Sequence, residues 1–231
     1  MKLIDLTHKF TGNMPVYPGD AKPEIFQTAF LSQHGYNDFT VKTGMHVGTH
    51  IDSPLHFIEG GKRLSEYGPE KFIGRGVLID ARGQKEIGTE LLLPTMSAHS
   101  RQIGVGDIVL VLTGMDAKYR LVSGEPNPDY FENYPVLTEE FAHEVVKAGI
   151  KMIGVDTCSP DKPPYNVHKI LLAADILIIE NLTNLDQLVE FSVQGARLPD
   201  GQGPALGWEV IALPAKYDTE AAPARVIARV I

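Results

Sequence analysis

One short segment of the sequence concentrates residue types that bind metals. Residues 46–56 read HVGTHIDSPLH and contain His46, His50 and His56, three of the chain's eight histidines, together with Asp52. Imidazole nitrogen and carboxylate oxygen form a ligand set that suits zinc, manganese or iron. The segment therefore predicts a metal site.

The backbone of this segment is predicted to be extended. Gly48 and Pro54 make a helix costly, because glycine is entropically unfavourable there and proline clashes with the preceding turn. Side chains alternate along a strand, so the three histidines and the aspartate, all at even-numbered positions, would share one face.

Two known metal-binding motifs can be compared with the histidines and the aspartate of this segment. His46 and His50 have the spacing of the helical metalloprotease motif, but Val47 stands where that motif needs its glutamate, which excludes the protease. His50 and Asp52, followed far downstream by His168, could form the two-histidine, one-carboxylate triad of a non-haem iron oxygenase. That alternative stays open, as does a non-catalytic protein whose ligands close a structural metal site.

A second set of candidate ligands lies further along the chain. His168 is in a segment with helical periodicity, and Glu180 follows the apolar residues Ile178 and Ile179, where an unpaired buried carboxylate would be expensive. Coordination of a metal would remove that cost. A surface histidine and a solvent-facing carboxylate are the alternative interpretation.

The eleven-residue segment resembles the H-x-G-T-H-x-D-x-P-x-H signature of the metal-dependent cyclase and kynurenine formamidase family. Further similarity follows in the family's order, at MPVYPGD (14–20), HFIEGG (56–61), DTCSPD (156–161), and His168 with Glu180. The resemblance implies an α/β fold of the swivelling β/β/α type, with a mixed sheet and flanking helices. It also implies one domain over the whole chain and assembly as a homodimer or homotetramer.

The resemblance assigns a role to each candidate ligand. His46, His50 and Asp52 would bind one divalent metal. Asp52, His168 and Glu180 would bind a second, so that Asp52 bridges the two ions. Zinc is the expected metal, with manganese as an alternative.

Two further residues receive roles in the same way. His56 would act as general acid and base, and Tyr17 would contact the substrate. Bacterial kynurenine formamidases have tryptophan at the position of Tyr17, so aromatic stacking is kept while the exact substrate stays open.

The expected reaction follows from the effect of a metal on water, whose pKa falls from about 15.7 to about 7 on binding. The resulting hydroxide would attack a small amide, either an aryl formamide such as N-formylkynurenine or a cyclic amide such as isatin. His56 would protonate the departing amine. The sequence thus predicts a metal-dependent amidohydrolase that uses two divalent ions per subunit.

Composition excludes several other classes of protein. The net charge of −8 argues against nucleic acid as a partner, because that binding draws on clustered lysine and arginine. Cys158 is the single cysteine, and no apolar run is long enough for a signal peptide or membrane span. We therefore expect a cytoplasmic protein that acts on a small molecule.

Alternating and apolar runs predict seven strands, at 2–6, 24–31, 39–43, 76–81, 107–114, 151–156 and 176–182. Helices are expected at 88–98, 138–150 and 165–174, the second capped by Thr138 and ended by Gly149. The segment 123–135 is interpreted as a surface loop or lid.

Structural roles are also expected for five further residues. Thr49 and Ser53 would donate hydrogen bonds to the ligands or to the backbone. Cys158 is expected to be a small buried residue rather than a catalytic thiolate. Trp208 and Tyr165 are expected in the core, with a position in the lining of a pocket as the alternative.

Overall fold

Most of the chain is organised around one large mixed sheet. The computed structural model describes residues 1–92, 103–192 and 207–231. In spatial order the eight strands of the sheet are β1 (Lys2–Asp5), β14 (Ala221–Val230), β13 (Trp208–Pro214), β5 (Ile73–Asp80), β7 (Ile108–Leu112), β11 (Met152–Val155), β12 (Leu177–Glu180) and β4 (His50–Asp52).

Smaller strands and helices surround this sheet. The strands form three two-stranded pairs: β2 (Glu24–Ala29) with β3 (Asp38–Lys42), β6 (Glu86–Ile87) with β10 (Val136–Leu137), and β8 (Leu121–Val122) with β9 (Glu125–Pro126). The α-helices are α1 (Leu31–His34), α2 (Pro128–Phe131), α3 (Glu139–Ala148) and α4 (Asn166–Ala173).

The large sheet closes on itself. Strand β14 pairs with β13 on one side and with β4 on the other, and both pairings are antiparallel. Strands β5, β7, β11 and β12 run parallel to one another. Their apolar runs fit this arrangement, because parallel strands are covered on both faces.

Two apolar cores lie on the two faces of the parallel strands. Along β7, Ile108, Leu110 and Leu112 point into the inner core, and Val109 and Val111 point into the outer core. Helices α3 and α4 cover the outer core. The period-two alternation of a strand thus separates one core enclosed by the sheet from another beneath the helices.

The ends of helix α3 agree with the sequence. The side chain of Thr138 accepts a hydrogen bond from the backbone N–H of Phe141, and Gly149 adopts the left-handed conformation that ends the helix. The strand predictions also agree with the structure, except that β2 ends at Ala29 and Leu31 begins α1.

Part of one prediction lies outside the described residues. The helix expected at 88–98 falls largely on 93–102, which the structure does not describe. Within the described ranges, no helix combines the length and apolar character needed to cross a membrane.

The extended path predicted through residues 46–56 is wrong outside β4. Gly48 has a φ of 70°, a value that favours glycine, so the chain turns sharply before the strand. After the strand, Pro54 opens a short 3₁₀ turn that ends at His56. These two turns bend the flanking residues toward β4, so the three imidazoles converge without sharing one strand.

Candidate metal centre

Asp52 lies at the centre of the cluster of histidines. It is fully buried on β4, and neither carboxylate oxygen has a hydrogen-bond partner among the described residues. Its Oδ1 is 3.0 Å from Nδ1 of His46 and 3.4 Å from Nε2 of His50. Its Oδ2 is 4.0 Å from Nε2 of His168. Nitrogens of three imidazoles thus surround a buried carboxylate.

The pairing of β4 with β12 brings the distant carboxylate to the same place. Glu180 lies directly opposite His50 in this antiparallel pair, and residues opposite each other project to the same face. Oε2 of Glu180 is 3.3 Å from Nε2 of His50, and its Oε1 is 3.3 Å from Nε2 of His168. The candidate ligands in residues 46–56 therefore converge on one site with His168 and Glu180.

Nδ1, the ring nitrogen of His50 and His168 that does not face the carboxylates of the cluster, contacts an oxygen atom elsewhere in the protein. Nδ1 of His50 lies 2.7 Å from the backbone oxygen of Gly48, and Nδ1 of His168 lies 2.6 Å from Oδ1 of Asp161. When each Nδ1 donates its proton to these oxygens, the lone pair of Nε2 faces the centre. Protein metal sites commonly orient histidine ligands in this way.

The donor atoms fall into two overlapping groups that could each hold a metal ion. Atoms of His50, Asp52 and Glu180 lie within 4.8 Å of one another, as do atoms of His46, Asp52 and His56. A cation fits this centre, because a buried carboxylate without hydrogen bonds is costly unless a positive charge compensates it. Asp52 belongs to both groups, but His50 groups with Glu180 rather than with His46.

The charged groups of the cluster shift one another's pKa. Burial lowers the pKa of His46, but the carboxylates of Asp52, Glu180 and Glu220 together outweigh burial and raise it to about 9. Burial likewise opposes charge on His168, yet Asp161 and Glu180 raise its pKa to about 10. For Asp52, burial raises the pKa, and the neighbouring histidines more than offset this and hold it below the usual range. The site therefore favours positive charge beside its carboxylates.

His56 differs from the other histidines of the site. Its ring centroid lies 4.3 Å from that of His46, at the wall of an open cleft. Burial lowers its pKa, and the neighbouring His46 and His168 lower it further despite the opposing charge of Asp52. No hydrogen-bond partner of its ring occurs in the described part of the chain, so the imidazole is free to exchange a proton with a molecule in the cleft.

The cleft beside the cluster has a volume of about 260 Å³, and several aromatic side chains line it. Tyr17 and Phe131 meet edge to face with centroids 6.1 Å apart, and Tyr165 and Phe57 line the same space. Burial raises the pKa of Tyr17 to about 12, with a further contribution from Tyr165. The neutral phenol and the surrounding rings suit a flat aromatic ligand.

The sequence interpretation missed the residues that support the ligands. Asp161 binds Nδ1 of His168 and also accepts hydrogen bonds from the backbone N–H groups of Val167 and His168. Glu220 lies 3.3 Å from Nε2 of His46. Asn181 donates to the Gly48 carbonyl at 3.0 Å. Nothing in the spacing of these residues distinguishes them from surface or turn positions.

Thr49 and Ser53 make the backbone hydrogen bonds that were expected. Thr49 donates to the backbone oxygen of Asn181 at 2.6 Å, and Ser53 donates to that of Glu220 at 2.8 Å. They therefore connect the two residues that flank β4 to Asn181 and Glu220.

The aromatic and cysteine predictions have mixed outcomes. Trp208 and Cys158 are buried as expected, although Cys158 also borders the cleft. The prediction for Tyr165 is wrong, because it is only partly buried and lines the cleft. In the segment 123–135, helix α2 forms and places Phe131 on the cleft wall.

Comparison with known proteins agrees with the fold and the signature. Residues 4–162 match the family model described as putative cyclase. Kynurenine formamidase of Bacillus cereus is 28% identical over 99% of this chain and 97% of that protein, and that of Erythrobacter litoralis is 25% identical over 99% and 94%. Isatin hydrolase A from Labrenzia aggregata, solved with benzyl benzoate, is 26% identical, with a TM-score of 0.80 and coverage of 98% of this chain and 93% of that one. The fold prediction of a mixed sheet with flanking helices is confirmed, and the chain belongs to the cyclase family that HVGTHIDSPLH indicated.

Proposed function

We propose that this protein is a metal-dependent hydrolase of small amides, acting on an aryl formamide or a cyclic amide. The observation that carries the proposal is the buried carboxylate of Asp52, which has no hydrogen-bond partner in the described part of the chain and faces nitrogens of His46, His50 and His168. The names of the relatives, kynurenine formamidase and isatin hydrolase, support amide chemistry.

The proposed cofactors are two divalent metal ions per subunit, zinc or alternatively manganese. His46, His50 and Asp52 would hold one ion, and Asp52, His168 and Glu180 the other. Such ions supply Lewis acidity and lower the pKa of water. Because Nε2 of His50 lies 3.3 Å from Oε2 of Glu180, the residues that would hold the two ions are in direct contact.

The residues around the ligands fix their direction. The Gly48 carbonyl and the Asp161 carboxylate would accept hydrogen bonds from Nδ1–H of His50 and His168, which leaves both Nε2 atoms to bind metal. Glu220 would orient His46 in the same manner. These contacts prepare the site before a metal arrives, which reduces the cost of ordering the ligands.

His56 is the proposed general acid and base. It borders the cleft, and its lowered pKa makes the neutral ring the resting form. A neutral imidazole can take a proton from the attacking water and then deliver it to the nitrogen of the departing amine. An arylamine leaves poorly as an anion, so this proton is needed at the step in which the amide bond breaks.

Tyr17 is the proposed aromatic contact of the substrate. Its ring lines the cleft and meets Phe131 edge to face, and its position corresponds to the tryptophan of bacterial kynurenine formamidases. A substrate aryl ring would pack between Tyr17 and the rings of Phe57 and Tyr165. The smaller phenol leaves more room than an indole, which favours a bulkier aryl group.

The rival functions explain fewer of the contacts. An iron oxygenase that used His50, Asp52 and His168 would leave Glu180 buried in the cluster without a role. A structural metal site would need neither the open cleft nor His56. Hydrolysis uses all of these features.

Residues 1–231 would form one hydrolase domain that acts in the cytoplasm. Elements from both ends of the chain support a single unit, because β14 pairs with β1 and also with the ligand strand β4. The single cysteine supports a reducing compartment.

A substrate panel tests the proposal. The purified protein, reconstituted with zinc or manganese, would be assayed against N-formylkynurenine, isatin, aryl formamides and matched aryl esters. We expect hydrolysis of at least one amide, together with metal dependence. Oxygen-dependent product formation with iron, or tight metal binding without turnover of any amide, would contradict the proposal.

A further inference from the structure

Tyr130, which takes no part in the proposed chemistry, is fully buried on helix α2. A buried phenol is costly unless its hydroxyl has a hydrogen-bond partner. The hydroxyl of Tyr130 donates to Oδ1 of Asn181 at 2.8 Å, and Asn181 directly follows the proposed ligand Glu180. Burial raises the pKa of Tyr130 well above its ordinary value, so the hydroxyl keeps the proton that it donates. Helix α2 is thus bonded to the neighbour of a ligand.

The two partners of the Asn181 side chain fix the orientation of its amide. Nδ2 donates to the backbone carbonyl of Gly48 at 3.0 Å. A carbonyl oxygen can only accept, so the amide must present its NH₂ group to Gly48 and its oxygen to a donor. Tyr130 is that donor, and its second contact, the backbone oxygen of Asp156 at 3.3 Å, is also an acceptor. Each polar atom therefore has one consistent role.

The carbonyl of Gly48 connects Asn181 to the ligand His50. The same oxygen that accepts from Asn181 lies 2.7 Å from Nδ1 of His50. It belongs to the sharp turn at Gly48, where φ is 70°. A fixed oxygen sets the direction of the bond from Nδ1–H and with it the direction of Nε2 on the other side of the ring. Asn181 therefore acts on His50 through the Gly48 carbonyl.

The backbone of Asn181 is held as firmly as its side chain. Its φ of 55° is in the left-handed region, which asparagine adopts more readily than most residues. Its N–H donates to the Thr157 carbonyl at 2.9 Å, and its own carbonyl accepts from the Thr49 hydroxyl at 2.6 Å. These bonds also fix the direction in which Glu180 leaves strand β12.

Aromatic packing keeps the Tyr130 hydroxyl in place. The ring of Tyr130 lies 4.9 Å from that of Phe131 and 5.1 Å from that of Tyr119, and both pairs meet edge to face. Phe131 and Tyr119 line the cleft. A ring packed in this way leaves its hydroxyl little freedom to move away from Asn181. Helix α2 therefore places one aromatic residue on the cleft wall and the next one behind the proposed ligands.

We propose that Tyr130 is a positioning residue of the metal centre. Its hydroxyl aligns the amide of Asn181, the amide holds the Gly48 carbonyl, and the carbonyl orients the imidazole of His50. The same amide is fixed beside Glu180, so two ligands depend on this chain of hydrogen bonds. The inference rests on the proposed metal-dependent function.

Single and double variants test the chain. Tyr130→Phe removes only the hydroxyl. Asn181→Gly removes the amide, and glycine accepts the left-handed backbone without strain. Tyr67→Phe is the matched control, because its hydroxyl bonds to Asp175, outside the cluster of ligands. Competition with a chelating dye would measure zinc affinity in the wild type, in each variant and in Y130F/N181G.

We expect N181G to bind zinc about 10-fold more weakly, at the lower end of the cost of removing a residue that supports ligands. Y130F should lose about 2- to 12-fold, the usual value of one hydrogen bond. The double variant should bind no more weakly than N181G, because Tyr130 acts through Asn181. Y67F should match the wild type.

A spectroscopic measurement adds a readout of ligand geometry. With cobalt(II) in place of zinc, the visible absorption bands should differ between Y130F and the wild type and coincide between Y67F and the wild type, because these bands depend on how the ligands are arranged. Circular dichroism and thermal melting of the metal-free proteins would check folding. A purely structural role would lower the melting temperature of Y130F and leave its zinc affinity and cobalt spectrum unchanged.

The proposal is overturned if Y130F binds zinc as tightly as the wild type, or if the losses of the two single variants add in the double variant. A wild type that binds zinc but hydrolyses no amide would contradict the proposed function, while the zinc affinities would still decide the role of Tyr130. A wild type that binds neither zinc nor cobalt would overturn both.

Discussion

The carboxylate of Asp161 and the imidazole of His168 form a buried pair with 2.6 Å between Oδ1 and Nδ1. The second oxygen of the same carboxylate accepts the backbone N–H of Val167 at 2.7 Å. One side chain therefore fixes both the ring of a proposed ligand and the first turn of the helix that carries it. The direction in which Nε2 points depends on this contact.

Removing that carboxylate should weaken metal binding. In Asp161→Asn, the neutral amide no longer stabilises the Nδ1 proton of His168, so we expect metal affinity to fall about 10- to 100-fold. Competition with a chelating dye would measure the affinity, with Asp129→Asn, at an exposed position of α2, as the control. Equal affinities of D161N and the wild type would show that His168 needs no orientation by Asp161.

Replacing His56 should separate proton transfer from metal binding. In His56→Ala, we expect both metal ions to remain and turnover of an aryl amide to fall about 10²- to 10⁴-fold, the usual contribution of general acid and base catalysis. Metal analysis and steady-state kinetics would be run on the same sample. Because His56 also groups with His46 and Asp52, loss of one ion from H56A would identify it as a ligand instead.

Tyr17 should affect substrate binding more than the chemical step. We expect Tyr17→Ala to raise KM for an aryl amide about 2- to 12-fold, equivalent to ~0.5–1.5 kcal/mol of aromatic contact, with kcat little changed. Tyr17→Trp should keep KM near that of the wild type. Tyr217→Ala, at an exposed position away from the cleft lining, is the control. A large fall in kcat in Y17A with unchanged KM would contradict a binding role.

His8 should make the folded protein sensitive to acid. Its ring packs on Tyr119 with centroids 4.1 Å apart, and its Nε2 is buried without a partner among the described residues. Burial lowers its pKa from 6.5 to about 4, although Asp116 opposes the shift. Because the unfolded chain then binds more protons, this stabilisation is complete above pH 6.5 and is lost as the pH falls toward 4.

The expected size of that effect is about 3 kcal/mol between neutral pH and pH 4. Urea unfolding of the metal-free protein should therefore have a weaker pH dependence in His8→Gln than in the wild type. His143→Gln, on the exposed side of α3, should behave like the wild type. Identical pH slopes in the wild type and H8Q would mean that His8 is not titrating in this range.

The sequence predicted the ligand types better than the path of the chain between them. Imidazole and carboxylate groups can be recognised as metal ligands from the residue type. The apolar runs of β7 and β12 are clear from composition alone. The turns at Gly48 and Pro54 were recognised as breaks in a helix, but not as bends within a strand. A bend depends on neighbours such as Met14, whose Cε would lie 2.6 Å from a Cβ at position 48.

The supporting residues were not predictable because their roles come from distant pairings. Asn181 reaches Gly48 only because β12 lies beside β4, and Glu220 reaches His46 only because β14 closes the sheet on β4. Neither contact leaves a local pattern in the sequence. Strands β2 and β3, in contrast, pair with each other across a short connection, and both were predicted from their own residues.

Metal content measured together with turnover tests the central claim most directly. Each sample would be analysed for bound metal and for hydrolysis of an aryl formamide, before chelation, after chelation, and after return of zinc or manganese. We predict two ions per subunit in the wild type, loss of activity with the ions, and recovery on their return. Asp52→Asn should bind neither ion firmly and have no measurable turnover, whereas the exposed control Asp186→Asn should match the wild type. Hydrolysis that persists in metal-free protein, or full activity in D52N, would contradict the account.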